Sequence, residues 1–349
     1  MARAGKHPPG RKAGGEGPRA FEARLERSIV SLGAGQGGER WLVALSGGPD
    51  SVALLRTLCV LAPRRQWRVS AVHVHHGIRG KSADLDAAFC EKLCETLHVP
   101  IKVVRLRVPK GSALAERARK SRYEALEKES RRVKARWVAL AHQADDQAET
   151  LLSRLGRGSA LAGLSGIPPV RSPYVRPLLG ESREAILHYL GSLEQGFRTD
   201  PSNRSLKSER SRIRYLAIPA LERALGRPVQ MALARSALEA AEAAAYLEEA
   251  AAKEARRIAR RRAGRIEISA LRARALAPAL RKALWRSLLA EVLPGGVHLS
   301  GANVEAIERL LKSGEGRGEV ALAGGAFVRR EGARLVVDLR PKPSYRGGR

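Results

Sequence analysis

Trp41-Leu42-Val43-Ala44-Leu45-Ser46-Gly47-Gly48-Pro49-Asp50-Ser51, running on into Val52-Ala53-Leu54-Leu55, decides how the rest of the chain is read. The apolar run at its start reads as a fully buried strand. Ser46-Gly47-Gly48 then breaks the strand, and Asp50-Ser51 opens a helix carrying Val52, Leu54 and Leu55. A strand that turns through glycine into a helix N-terminus aims backbone N–H groups at a phosphate. A side chain at Gly47 or Gly48 would hold the anion off the backbone. The candidate nucleotide-binding residues are therefore Ser46, Gly47, Gly48, Pro49, Asp50 and Ser51, with the two serines as hydroxyl donors and Asp50 as the candidate magnesium ligand. An ordinary strand–turn–helix corner with Asp50 as its N-cap would use some of the same residues. Here strand, glycines, hydroxyls and acid fall in the order that a phosphate site needs.

Two commoner glycine patterns fail their context. Gly33-Ala34-Gly35-Gln36-Gly37-Gly38 fits the dinucleotide fingerprint letter by letter, but precedes a strand instead of following one. Gly80-Lys81-Ser82 ends like a Walker A loop whose first glycine would have to be His75.

The 349 residues allow two or three domains, and a hydrophobic share of 44% describes a globular chain and not a disordered one. Lys and Arg number 64 against 35 Asp and Glu, a net charge of +29. That excess predicts a polyanionic partner, nucleic acid first and a membrane surface second. No long apolar segment and no lipidation signal supports the membrane alternative. With aromatics at 4%, stacked aromatic platforms are not expected to dominate binding. Cys59, Cys90 and Cys94 form no Cys-x-x-Cys, which suits a reducing, cytoplasmic setting and core packing for the latter two. Residues 1–20 are rich in Gly, Pro, Lys and Arg, lack an apolar segment, and read as a flexible basic tail instead of a secretory signal.

Outward from the loop, residues 21–32 have helical spacing and 67–74 alternate as a second strand. Residues 84–97 form a helix, 101–107 a third strand, 112–128 a helix, and 136–140 a fourth strand that ends at His142. Strands separated by helices make βαβ units and a parallel sheet. Ligands bind such sheets beyond the carboxyl ends of the strands, where Ser46, His76 and His142 all fall. His73-Val74-His75-His76-Gly77-Ile78-Arg79 suggests zinc only weakly, because no third segment supplies ligands. A nucleotide-edge contact by His76, with Arg79 near phosphate, fits better. Arg119-Lys120-Ser121-Arg122-Tyr123 is either a solvated charge run or places Arg122 on RNA.

The second strong signal is Ala141-His142-Gln143-Ala144-Asp145-Asp146-Gln147-Ala148-Glu149-Thr150. Asp146 and Glu149 are three apart on a helix, so their carboxylates project from one face. Two acids at the mouth of a nucleotide site call for a cation between them, either magnesium or a substrate ammonium. The bland alternative is an acidic helix start complementing the macrodipole. His142 is placed to touch phosphate. Farther on, Asp200-Pro201-Ser202-Asn203 marks a turn, and Arg210, Arg212 and Arg214 can neutralise phosphate on ATP or RNA. From about Leu221 no catalytic signal appears. Residues 229–262 read as a long helix ending in the run Arg256-Arg257 and Arg260-Arg261-Arg262. Residues 271–293 and 304–311 read as further helices, and short strands follow at 319–322, 326–329 and 334–338.

Taken in order, these segments resemble the tRNA(Ile)-lysidine synthetases, N-type ATP pyrophosphatases of the PP-loop superfamily. The shared features are Ser-Gly-Gly-x-Asp-Ser, His-His-Gly-Ile-Arg, Ala-x-x-Arg-Tyr around Arg122, His-x-Ala-Asp-Asp-Gln-Ala-Glu-Thr, Arg-Pro-Leu-Leu and Asp-Pro-Ser-Asn, spanning about residues 41–219. His75 stands where the family usually has Asn or Asp, Gln143 replaces the second of two histidines, and Ser211 breaks the usual Arg-Asn-x-x-Arg. The resemblance implies an α/β fold: a parallel-sheet, Rossmann-like PP-loop ATPase domain over 21–219, then a mainly helical α+β C-terminal region over 220–349 that binds tRNA. It implies ATP and Mg2+ as cofactors, with an isoleucine tRNA carrying a wobble cytidine and free L-lysine as substrates. The cytosine O2 would be adenylated, and the lysine amine would then displace AMP at C2. By the same resemblance, Asp50, Arg122, Asp146 and Glu149 would carry the chemistry, His76 and His142 would help to hold ATP, and Arg122, Asp146, Glu149, Arg210, Arg212 and Arg214 would face substrates. One arginine of the last three would steady the α-phosphate. The family is commonly dimeric, so a homodimer is compatible with it. A PP-loop tRNA cytidine thiolase and a non-catalytic basic RNA binder are the alternatives, the former weakened by the absence of Cys-x-x-Cys clusters.

Overall fold

The computed structural model describes residues 17–75, 77, 81–106, 111, 114–199, 206–262, 265–291, 299–313, 318–322 and 325–338. Most of the expected basic tail, His76, Arg79 and the Asp200–Asn203 turn lie outside the described residues. The chain divides into two units, one of Met1–Ser153 with Gly166–Ala237 and one of Arg154–Ser165 with Leu238–Arg349.

In chain order the elements up to residue 225 are α1 (Pro18–Ser31), β1 (Arg40–Ala44), α2 (Pro49–Arg65), β2 (Arg68–His75), α3 (Lys81–Thr96), β3 (Ile101–Arg105), α4 (Leu114–Val133), β4 (Trp137–Ala139), α5 (Ala144–Gly156), α6 (Leu161–Leu164), β5 (Val170–Arg171), β6 (Tyr174–Val175), α7 (Arg183–Ser192), α8 (Glu209–Arg212) and α9 (Ile218–Leu225). A 3-10 turn spans Pro177–Gly180, and a π-helical turn spans Ile213–Ala217. The strands of the first unit form one sheet in the order β3-β2-β1-β4-β6-β5. All pairs are parallel except the terminal β5–β6 hairpin.

β1 lies inside this sheet, and its side chains alternate between two cores as the pleat demands. Trp41, Val43 and Leu45 pack with Leu25 and Ile29 of α1, Val52, Leu55 and Leu58 of α2, Cys90 and Cys94 of α3, and Tyr189 of α7. Leu42 points the other way, with Val72, Val138, Leu140 and Leu126 of α4. Burial on both faces explains why β1 reads as a continuous apolar run. Leu42 is fully buried, so its truncation to alanine would cost about 2–5 kcal/mol. The expected βαβ order is therefore present, with each strand within a few residues of its expected bounds. The β5–β6 hairpin has no counterpart in the sequence reading, because two-residue strands are too short to show periodicity.

The second unit contains α6 and is otherwise built from the last part of α10 (Gln230–Ile258), β7 (Ala259–Arg262), β8 (Arg265–Ser269), α11 (Ala270–Ala275), α12 (Pro278–Ala290), α13 (Gly301–Lys312), β9 (Glu319–Ala321), β10 (Phe327–Glu331) and β11 (Arg334–Asp338). Its antiparallel sheet has the order β7-β8-β11-β10-β9. Two expectations are corrected here. The helix over 229–262 stops at Ile258, because residues 259–262 pair with β8, whose Ile266 and Ile268 are buried. The helix over 271–293 is two helices, broken where Leu276 and Ala277 turn extended before Pro278, as a residue preceding proline tends to do. Arg281, Glu308 and Trp285 form a buried cluster in which Glu308 accepts from the guanidinium at 2.6 Å and from the indole N–H at 2.7 Å. Among the described residues no helix is long and apolar enough to cross a membrane.

Candidate functional site

Between β1 and α2 the chain makes a compact loop. Gly47 has φ +87°, a left-handed conformation, and a Cβ there would lie 3.3 Å from Cys90 Sγ and 3.4 Å from Arg198 Cγ. The position therefore suits glycine on both conformational and spatial grounds. Gly48 caps α2 in extended conformation, and Pro49 and Asp50 occupy its first turn. Ser51 Oγ organises the loop: it accepts from the Ser46 N–H at 3.1 Å, lies 3.0 Å from Ser46 Oγ, and donates to Gly48 O at 3.0 Å. Arg198 braces the other side, its N–H donating to Gly47 O at 2.8 Å and its Nε to Asp86 at 2.9 Å.

Asp50 Oδ1 is buried and has no hydrogen-bond partner among the described residues. Loss of hydration pushes its carboxyl up to about 6, with Asp146 and Asp145 adding repulsion and Arg183 opposing it. An orphaned, destabilised carboxylate at the mouth of a glycine loop is a fit donor for a hard divalent cation. No group of three or more His, Cys, Asp or Glu side chains suited to a metal occurs among the described residues. Asp50 therefore fits magnesium as one ligand beside phosphate oxygens, the usual manner in which that ion is held.

α5 brings the second signal to the same place. A cavity of about 640 Å³ is lined by Ser46, Gly48, Asp50, Arg122, His142, Asp146, Lys207, Arg210 and Arg214, among others. A second, of about 820 Å³, shares Ser46, Gly48, Asp50, Arg122 and Arg214 and extends to Val72, Val74, Leu126, Asp145 and Arg183. The sheet thus opens at the carboxyl ends of β1, β2 and β4, as the topology requires.

Asp146 and Glu149 do project from one face, and the cation between them is guanidinium. Arg210 Nε donates to Glu149 at 2.6 Å and its Nη2 to Asp146. Arg214 Nε donates to the other Glu149 oxygen, and its Nη2 lies 3.6 Å from Asp146. Glu149 is 1% exposed, so this double pairing offsets the desolvation of its charge. Asp146 also accepts from the Gln143 N–H at 2.9 Å, and Gln143 Oε1 accepts from the Asp145 N–H at 2.7 Å. Gln143 thus caps the helix that presents both acids.

His142 lines the first cavity. Burial lowers its pKa to about 4, assisted by Arg176, Arg122 and Arg210. Arg176 Nε donates to His142 Nδ1 at 3.2 Å, so the neutral ring carries its proton on Nε2. Arg122 lines both cavities, its Nε has no hydrogen-bond partner among the described residues, and its guanidinium lies 5.4 Å from the Tyr123 ring centre. The exposed Arg212 lines neither cavity, and its Nη1 donates to Leu206 O and Lys207 O. Arg176, Arg183 and Arg198 also serve the site. Sequence reasoning gave them no role, because only the fold brings Arg176 to His142, Arg198 to Gly47 and Arg183 to the second cavity. His73 is mostly buried but lines the second cavity, its Nδ1 2.9 Å from Leu45 O, and Cys90 and Cys94 are buried in the core.

The profile of a family described as a PP-loop domain matches residues 20–221. A tRNA(Ile)-lysidine synthase from Symbiobacterium thermophilum is 41% identical over 61% of this chain, which spans 46% of that protein's length. One from Streptomyces coelicolor is 36% identical over 85% of this chain and 84% of its own length. Among solved structures, the U34-tRNA thiolase NcsA from Methanococcus maripaludis aligns with TM-score 0.52 and 22% identity over 64% of this chain and 78% of its own, a likeness of fold.

Proposed function

The chain belongs to the tRNA(Ile)-lysidine synthase family of PP-loop proteins, and on that premise we propose that it ligates lysine to the wobble cytidine of isoleucine tRNA with ATP. The observation that carries this reading is the meeting of the glycine loop, the orphaned Asp50 carboxylate and Asp146 around one opening, with the buried Glu149 joined to Asp146 through Arg210 and Arg214. In the proposed reaction the cytosine O2 attacks the α-phosphorus of ATP, and the bond to the β-phosphate oxygen breaks to release pyrophosphate. The lysine ε-amine then attacks C2, and the C2–O bond breaks to release AMP.

Ser46 to Ser51 would hold the triphosphate on backbone N–H groups and hydroxyls. Asp50 would hold magnesium, which would screen charge between phosphate oxygens. The apolar wall of Val72, Val74 and Leu126 suits the nucleoside base. His142 would offer Nε2–H to phosphate without adding charge. Arg122 would face the anticodon loop. Asp146 and Glu149 would grip the lysine ammonium, and one of them would take its proton, since an ammonium is no nucleophile. With Arg210 and Arg214 already paired to them, the cluster is neutral, and an arriving ammonium leaves it with a surplus positive charge. A guanidinium released by that exchange would turn to the α-phosphate, where negative charge develops. Arg256, Arg257, Arg260, Arg261 and Arg262 are all exposed, which supports tRNA binding by residues 220–349.

The test is pyrophosphate release from ATP with isoleucine tRNA carrying a wobble cytidine, with and without lysine, followed by nucleoside mass analysis. A cytidine heavier by lysine less water is the expected product. Release without lysine incorporation would point to another PP-loop tRNA modification, and no release would leave an RNA-binding protein.

A further inference from the structure

Arg122, Arg183, Arg198 and Arg214 line the cavity that meets the glycine loop. Arg198 is paired with Asp86, and Arg214 with Glu149. Arg183 has no carboxylate within ion-pair distance among the described residues, yet its charge acts on Asp50 and Asp145. It is exposed, and it is also firmly mounted. Ser182 caps α7 by accepting from the Ala185 N–H at 3.1 Å, and Glu181 O accepts from the Ala144 N–H at the start of α5. Ile186, Tyr189 and Leu190 anchor the helix in the core.

A nucleoside triphosphate keeps a net negative charge after one divalent cation has bound, and the terminal phosphates carry most of it. Asp50 borders both cavities; Arg183 lines only the second, whereas His142, Asp146 and Arg210 line only the first. The attacked α-phosphorus must face the substrate amine at Asp146, so the leaving pyrophosphate points away from it, toward the second cavity. We propose that Arg183 binds the β- and γ-phosphates of ATP and carries the charge that gathers on pyrophosphate as the α–β bond breaks. This assignment rests on the ATP-dependent function proposed above. A guanidinium matches phosphate oxygens in a two-pronged way that an ammonium does not.

The test is calorimetric titration of the full chain with ATP, AMP and inorganic pyrophosphate, each with magnesium, for the parent, Arg183→Gln and Arg183→Lys. Loss of one charged hydrogen-bonding group predicts a roughly ten- to hundredfold weaker affinity for ATP and pyrophosphate in Arg183→Gln. AMP affinity should be unchanged, and Arg183→Lys should recover part of the loss. A merely structural role would weaken AMP as much as ATP. Either that result or unchanged ATP affinity in Arg183→Gln would overturn the assignment while leaving the ATP-dependent function standing. A parent protein that binds none of the three would overturn both.

Discussion

Asp50→Asn removes one charge and keeps the side-chain shape, and it should make the unliganded protein more stable. Burial holds the Asp50 carboxyl at about 6 against 3.8 for an ordinary aspartate, so the folded chain binds this proton more tightly than the unfolded one. Above pH 6 the ionised carboxylate therefore works against the fold, by about 3 kcal/mol at roughly 1.4 kcal/mol per unit. The penalty fades as pH falls through that range and is gone below the unfolded value. Asp50→Asn should thus exceed the parent by about 3 kcal/mol at pH 8 and by only about 1 kcal/mol at pH 4.5. Urea denaturation at both pH values, followed by tryptophan fluorescence, reads the difference. Trp41, Trp67 and Trp137 are all buried in the first unit. A gap equal at the two pH values, or a variant less stable at pH 8, would refute the reasoning. The same variant should lose magnesium-dependent ATP affinity, the usual exchange between stability and function at a strained site.

Gly47→Ala forces a left-handed alanine, costing about 1–2 kcal/mol, and presses its methyl toward Cys90 Sγ, so both stability and ATP affinity should fall. Calorimetry showing parental ATP affinity would contradict the loop geometry. Asp146→Asn and Glu149→Gln should bind ATP normally and raise the KM for lysine at least roughly tenfold, since each loses a charged partner. Unchanged lysine dependence in both would remove them from the amine site. His142 should titrate with a midpoint near 4 and show the Nε2–H tautomer in nitrogen-15 NMR. Its depressed folded value contributes stability that is present above 6.5 and lost as pH falls toward 4, so a midpoint near 6.5 would contradict its burial.

The sequence by itself determined the βαβ order, the placing of the glycine loop at a strand end, and the shared face of Asp146 and Glu149. These follow from local physics: the pleat period of β1, the φ that Gly47 alone adopts cheaply, and the helical pitch. It was also enough to name the family, because motif order survives where geometry is unseen. Tertiary structure decided who neutralises whom. Arg210 lies 61 residues from Glu149 in sequence, and no local pattern says that the cation between the two acids is guanidinium. The bracing of Gly47 by Arg198 and the placing of Arg183 on a cavity that Asp50 borders belong to the same class. Each is a contact between distant segments, set by core packing that brings α5, α7 and residues 210–214 together. Charges decide their partners only after the apolar faces have decided where the elements lie.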